Sequence, residues 1–248
     1  MSYQFDRLKI LVVDDNAHMR KLVCTILQAF GVSQIFEADS GERAWVVLKE
    51  VNPDICVVDW VMEGMSGPDL VRMIRTDPLS PNPFVPVLML TGYTHIDQVR
   101  QARDSGINEF IAKPVSVKTM MQRLTAVIEH PRPFVRTKSY FGPCRRRRGG
   151  DEYQGPERRE KKEAAAEAAM EEIKGEFAAW AAADVEKLVA ARARFARSPD
   201  AASRAALLRA AHDMKGQAAT FNYPMIARVS GSLSGGPTPD ACERTRLT

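Results

Sequence analysis

The sequence predicts an α/β protein: a five-stranded, parallel, doubly wound sheet over its first half, followed by a C-terminal α-helical bundle. Three observations carry that prediction. Five short apolar, β-branched runs alternate with segments whose apolar residues recur at helical spacing, the pattern of a parallel sheet covered on both faces. Four of those runs lead into polar residues suited to a site, at the strand ends where open α/β sheets place their ligands. After His130 the composition turns basic and rich in Pro and Gly, and beyond residue 160 it turns to Ala, Glu, Lys and Arg, strong helix formers.

The elements follow in order. Leu8 to Val13 reads as a strand ending in Asp14-Asp15. Asn16 caps a helix carrying Met19, Leu22, Val23, Ile26, Leu27 and Phe30, which Gly31 terminates as a C′ glycine. Gln34 to Ala38 is a short strand, and Ser40 caps a helix through Ala44, Val47 and Leu48. The run from Asp54 to Val58 is the central strand, with Asp59 at its carboxyl end. A loop with Gly64 and Gly67 follows, and Pro68 opens a helix running to about Arg75. Asp77 to Pro86 holds four prolines and is a loop. Val87 to Leu90 is the fourth strand, ending in Thr91-Gly92. A polar helix covers His95 to Ser105. Asn108 to Ala112 is the fifth strand, followed by Lys113-Pro114, and Ser116 caps a last helix ending before Pro131. The natural order for such a chain is the flavodoxin-like 2-1-3-4-5.

In that order the groups at the strand ends converge on one edge: Asp14, Asp15, Asp59, Thr91 and Lys113. Three carboxylates without a cation repel one another and force protonation. A hard divalent ion with oxygen ligands relieves this, and Mg²⁺ retaining several waters is the expected one. Asp59 is then the nucleophile toward a phosphoryl group, forming an aspartyl phosphate. Lys113 holds a phosphoryl oxygen as a point charge and Thr91 donates its hydroxyl to another, so catalysis is positioning plus electrostatics.

The strings ILVVDDNAHMR, DICVVDWVMEGMSGPDL, VLMLTGY and FIAKP resemble the receiver domain of two-component response regulators, of the single-domain chemotaxis type, over roughly residues 7 to 129. The resemblance implies Asp59 as phosphoacceptor and Asp14 and Asp15 at the metal, with the backbone carbonyl of Val61 as a further ligand. It implies a cis peptide at Lys113-Pro114 and a switch role for the aromatic Phe110, whose ring follows Thr91 inward. It also implies a signalling protein that catalyses only its own phosphorylation and dephosphorylation. Two departures stand out. Glu63 occupies a position where a proline is usual, and Val61 and Tyr93 flank the site with apolar bulk, which is expected to slow water attack on the phosphorylated state.

The totals agree with a protein of one or two domains. At 248 residues and 45% hydrophobic composition the chain can bury real cores. No apolar run approaches the ~20 residues needed to span a membrane, and Met1 to Lys9 has no signal-type apolar core, so a cytoplasmic protein is expected. A net charge of +4 is too small to imply a nucleic-acid partner. Among the cysteines, Cys24 and Cys56 read as small core fillers, and no pair shows metal-ligand spacing.

Residues 131–160 are expected to be a basic linker without regular structure, given their prolines, four glycines and the block Arg145 to Arg148. They contain a repeat, Tyr-x-Gly-Pro-x-Arg-Arg, at Tyr140 to Arg146 and again at Tyr153 to Arg159.

Residues 161–233 form the expected helical domain, and 234–248 an irregular tail. A helix from Lys161 to Arg197 carries an apolar stripe of Ile173, Phe177, Trp180, Val185, Leu188, Val189 and Phe195. Ser198-Pro199 breaks it, a second helix runs from about Asp200 to Phe221, and a third begins near Pro224. On the second helix Lys215 and Gly216 share a face with His212, and the glycine is expected to leave a side-chain-free patch beside an exposed imidazole.

The string AHDMKGQAATFNYPMIARVSGSL resembles the histidine phosphotransfer (HPt) domain. That resemblance implies His212 as a phosphohistidine site supported by Lys215. Asn222 replaces a glycine common after this helix. The tail from Ser234 is Gly- and Pro-rich where the family continues with helices, so the bundle is expected to be incomplete.

The sequence therefore points to a bacterial phosphorelay protein. Its expected partners are a sensor histidine kinase and another receiver or HPt protein. No DNA-binding output domain and no membrane span are expected, and self-association through the helical segment is a further expectation. The alternative is a phosphorylation-controlled binding switch whose helical segment only docks or dimerises. A haloacid-dehalogenase-type phosphatase would want an acid two residues after Asp59, where Val61 stands.

Overall fold

A computed structural model of the protein describes residues 5–92, 105–137, 140–144, 158–220, 226 and 230; within these, positions 158–165, 172–180 and 219 are described by backbone alone. The expected helix over 95–105 apart from its last residue, Tyr93, the basic block 145–148, the second copy of the repeat up to Glu157 and the tail 234–248 lie outside the described residues. So does the third C-terminal helix, apart from helical Ile226 and Ser230. The chain divides into two compact units, 1–175 and 176–248.

The first unit is built on a parallel sheet of β1 (Lys9–Val13), β2 (Gln34–Ala38), β3 (Ile55–Asp59), β4 (Val87–Thr91) and β5 (Glu109–Ala112), in the order β2-β1-β3-β4-β5. Every residue of β3 and β4 is buried, as continuous β-branched and aliphatic runs demand. The register is what matters for function. Val13 pairs with Val58, Asp59 with Leu90, and Thr91 with Ala112, so the four strands end nearly level.

The helices begin and end where the sequence places them. α1 (Ala17–Ala29) starts on Asn16, whose side-chain oxygen accepts from the amides of His18 and Met19. It closes on Gly31, at φ 91°, with Gly31 N donating to Gln28 O and Val32 N to Leu27 O, a Schellman motif. α2 (Gly41–Val51) is capped by Ser40, and α3 (Gly67–Thr76) by Ser66. A further helix, Val117–Glu129, is capped by Ser116. Cys24 and Cys56 are buried among apolar side chains, and burial pushes both thiols up to about 12, as expected of inert core fillers.

Gly67 fixes how α3 meets the sheet. A Cβ built there would sit 2.1 Å from the carbonyl oxygen of Asp59, so only glycine lets the helix start this close to the end of β3. Gly67 N also donates to the carbonyl of Trp60 at 3.1 Å, which closes the intervening loop.

The stretch after His130 departs from expectation. It contains an antiparallel hairpin, β6 (Phe134–Arg136) and β7 (Phe141–Pro143). Proline and glycine do not exclude it, because an isolated two-stranded ribbon consists only of edges and loses little where Pro143 lacks an N–H. Gly142 earns its place differently: a Cβ there would lie 2.8 Å from the Cα of Gly106. Phe134 and Phe141 pack with Phe84 at centroid separations of 5.1 to 5.7 Å. Beneath them Arg75, 3% exposed, donates to the carbonyls of Gly106 and Pro83 and to Asn108 Oδ1, while its guanidinium lies 5.1 Å from the Phe134 ring centre. Burial pushes the Arg75 guanidinium down to about 10. Glu109 pairs with both Arg123 and Arg132, tying the 117–129 helix and the approach to the hairpin to the start of β5.

The C-terminal helices are Arg158–Arg197 and Ala201–Thr220. Asp200 starts the second: its Oδ1 accepts from Ser203 N at 2.7 Å, and Ser203 Oγ accepts from Asp200 N at 3.2 Å, a reciprocal cap. Of the predicted apolar stripe, Leu188 and Phe195 are half-buried and Val185 and Val189 are exposed, while Ala181 and Asp184 are buried beside them. The side chains of Ile173, Phe177 and Trp180 lie outside the described residues.

Candidate functional site

The site is assembled at the carboxyl edge of the sheet. Asp59 is the last residue of β3, and Asp14 follows β1; both are essentially fully buried. Thr91 ends β4 and is 7% exposed. Lys113 follows β5, held by its amide donating to Thr91 O at 2.7 Å, and Lys113-Pro114 is cis as expected. Because the strands end level, the Lys113 ammonium reaches to 2.8 Å from Asp59 Oδ1 and 3.6 Å from Asp14 Oδ2. Asp14, Asp59 and Lys113 are thus brought together, with Thr91 at the end of the strand beside Asp59. Val61 is half-buried beside the site, and Phe110 is half-buried on β5, packed against the core.

Among the described residues, the Lys113 ammonium stands against a cluster of three carboxylates. Asp14, Asp15 and Asp59 each offer an oxygen, and these lie within 4.8 Å of one another. At such separations two like charges repel by about 4 kcal/mol at an effective dielectric of ~20. Desolvation holds the Asp14 carboxyl well above the ordinary carboxylate range; Lys113 opposes that shift, and Asp59 and Asp15 add to it. Asp59 Oδ2 is buried and accepts no hydrogen bond among the described residues. An all-oxygen, excess-negative, partly orphaned donor set is what a hard divalent ion such as Mg²⁺ satisfies.

Three supporting groups were not visible as such in the sequence. Glu63 N donates to Asp15 Oδ2 at 3.0 Å. Met65 N donates to Glu42 Oε1 at 3.1 Å. Arg20 donates to the carbonyl of Asp14 at 2.8 Å. The only advance signal was the absence of proline at 63, which leaves an N–H there.

His212 differs from expectation. Its imidazole is 2% exposed, not presented to solvent, and Lys215 is half-buried. The reason lies in its helix: Ala211, Met214, Gly216, Gln217, Ala218 and Thr220 are also buried, so the small residues around His212 belong to an enclosed arc and do not clear an open patch.

Comparison with known proteins agrees with the geometry of the first unit. A family model described as the response regulator receiver domain matches residues 10–125. The chain is 35% identical over 122 residues to the chemotaxis protein CheY of Pseudomonas aeruginosa, an alignment covering 49% of this chain and 97% of that protein. It is 38% identical over 122 residues to the chemotaxis protein CheY-3 of Vibrio cholerae, covering 49% and 92%. It is also 32% identical over 124 residues to the phosphate regulon transcriptional regulatory protein PhoB of Pseudomonas aeruginosa, covering 50% of this chain and 53% of that one.

Proposed function

The chain belongs to the response regulator receiver family, and on that premise we propose that Asp59 accepts a phosphoryl group from the phosphohistidine of a sensor histidine kinase in a Mg²⁺-dependent reaction. The observation that carries this reading is the Lys113 ammonium 2.8 Å from Asp59 within the carboxylate triad.

The chemistry of this chain's own groups is simple. An Asp59 carboxylate oxygen forms the new bond to phosphorus as the bond to the donor imidazole breaks, its electron pair remaining on that nitrogen. Lys113 leaves its contact with Asp59 Oδ1 to hold a phosphoryl oxygen, and the Thr91 hydroxyl donates to another. Asp14, Asp15, Asp59 and the Val61 carbonyl would hold Mg²⁺, which supplies neutralisation of the charge gathered on the phosphoryl oxygens. Phe110 and Thr91 then carry the change to the surface around β5. Domains follow the proposed division 1–130, 131–160, 161–233 and 234–248, amended by the hairpin within the second.

For the helical half two readings compete. In the phosphorelay reading, His212, supported by Lys215, exchanges phosphate with this receiver or another one, as in an HPt domain. In the second, the helical segment is a docking or self-association arm and His212 is idle. The buried imidazole favours the second reading. No helix among the described residues is long and apolar enough to cross a membrane.

The test is the chemistry of the bound phosphate. The protein is treated with a small acyl-phosphate donor and Mg²⁺, beside Asp59→Asn and His212→Gln variants. An alkali-labile, acid-tolerant label absent only from Asp59→Asn supports the receiver with an idle arm. An acid-labile, alkali-stable fraction lost in His212→Gln establishes the relay. No label on the wild type removes the whole proposal.

A further inference from the structure

We infer that the backbone amide of Glu63 is a positioning group for the metal site: by donating to Asp15 it orients that carboxylate toward the ion. This rests on the Mg²⁺-dependent reading above and extends it to a group outside the carboxylates.

The geometry is specific. Glu63 N lies 3.0 Å from Asp15 Oδ2 across 48 positions of sequence. A hydrogen bond to a charged acceptor is stronger than a neutral one, and it fixes the plane of the carboxylate. Oδ2 is engaged by the loop, Oδ1 is buried, and the carboxylate stands in the cluster with Asp14 and Asp59. Metal-ligating carboxylates are commonly tuned by such outer partners, and losing one costs roughly 10- to 100-fold in metal affinity.

The loop is built to keep this amide in place. Gly64 has φ 75°, a conformation that favours glycine. Immediately after it, Met65 N donates to Glu42 Oε1 at 3.1 Å. A Cβ on Gly64 would lie 2.9 Å from that same carboxylate oxygen. The segment from Glu63 to Met65 is therefore hung between two carboxylates, Asp15 on one side and Glu42 on the other. Val61, whose carbonyl is the proposed further ligand, lies two residues before Glu63, so one short segment carries both a ligand and the group that orients another. Glu63 is exposed, and the bond to Asp15 is made by its amide.

That separation gives a clean test. Glu63→Ala keeps the N–H and Glu63→Pro removes it. Mg²⁺ affinity of the full chain is read from the fluorescence of Trp60, which directly follows Asp59, with no phosphate donor present. Glu63→Ala is expected within about twofold of wild type, and Glu63→Pro about tenfold weaker, the low end of the range for such partners. Equal affinities for Glu63→Pro and wild type would overturn the inference, as would equal losses in both variants. Should Glu63→Pro melt far below wild type, the decision passes to amide hydrogen exchange. Glu63 is expected to be protected in the wild type and to exchange at least about tenfold faster in Asp15→Ala, since a lost charge-assisted bond is worth more than 1.4 kcal/mol. No change there overturns the inference. A wild type that binds no Mg²⁺ overturns the proposed function itself, and this inference with it.

Discussion

The receiver half and the helical half each present a short motif that reads as a phosphate site, and the structure treats them differently. Asp14, Asp59, Thr91 and Lys113 come from four separate strand ends, yet they meet because the sheet register leaves them no alternative. His212, Lys215 and Gly216 come from one helix, where spacing alone guarantees that they are neighbours. Spacing does not guarantee that they face solvent, and His212 does not. A motif scattered over a sheet edge carries its own geometric check, since every element must be right for the groups to converge. A motif confined to one helix carries none, because its exposure is decided by whatever packs against that helix.

The sharpest way to break this contrast is to remove each motif's central residue. Asp59→Asn is expected to abolish labelling by an acyl-phosphate donor, and His212→Gln to leave the label unchanged in amount and in alkali lability. Both are read by acid and alkali treatment after a fixed incubation. Equal losses in the two variants would make the halves one relay and dissolve the comparison.

The next effect is on the scaffold that makes the sheet-edge motif converge. Gly67→Ala places a methyl 2.1 Å from the Asp59 carbonyl and 3.0 Å from Met89 Sδ. Backbone cannot yield as a side-chain tip can, so the first half should lose about 3 kcal/mol, at the upper end of ordinary overpacking. Denaturant unfolding followed at Trp45 and Trp60 measures it. Gly216→Ala, on the helix of the other motif, should cost far less than this if the arc around His212 has slack, and comparably if it is as tightly closed.

How much of this was legible in the sequence follows the same line. The strand order, the caps Asn16, Ser40 and Ser116 and the Schellman glycine Gly31 depend on local patterns and short spacings, and those are written directly in the residues. The hairpin was not legible, because Phe134 and Phe141 find their partners in Phe84 and Arg75, fifty or more residues earlier. Nothing local distinguishes an aromatic in a linker from an aromatic that folds back. Val185 and Val189 misled for a related reason: they are apolar at helical spacing, yet the buried face passes through Ala181 and Asp184, and a buried aspartate is not a signal that hydrophobicity can give.

The hairpin offers a third, smaller effect. Phe134→Ala removes a half-buried ring from the cluster and its contact with the Arg75 guanidinium. A loss of about 1–2 kcal/mol is expected, less than for a fully enclosed aromatic. The readout is the melting temperature of the first half, with phosphorylation of Asp59 unaltered. The hairpin packs against Gly106, which precedes β5, and the residues of β5 span roughly 13 Å from there toward the site. A change in labelling rate with Phe134→Ala would show that the sheet transmits strain over that distance, and the site would then be less self-contained than its register implies.

The smallest effect separates the halves by pH. Desolvation raises the Asp14 carboxyl above its ordinary value of 3.8, so the folded chain holds a proton there that the unfolded chain has released. Between about pH 4 and the raised value, this group's contribution to stability falls as pH rises, because the folded state binds more protons than the unfolded one. Mg²⁺ reverses the sense locally, since it binds the ionised carboxylate and competes with that proton. The Mg²⁺-induced rise in melting temperature should therefore be small near about pH 5 and grow toward about pH 8, and Asp14→Asn should flatten the growth. His212→Gln should leave the growth untouched. If it does not, the ion is sensed by the helical half as well, and the independence of the two motifs argued from their burial is wrong.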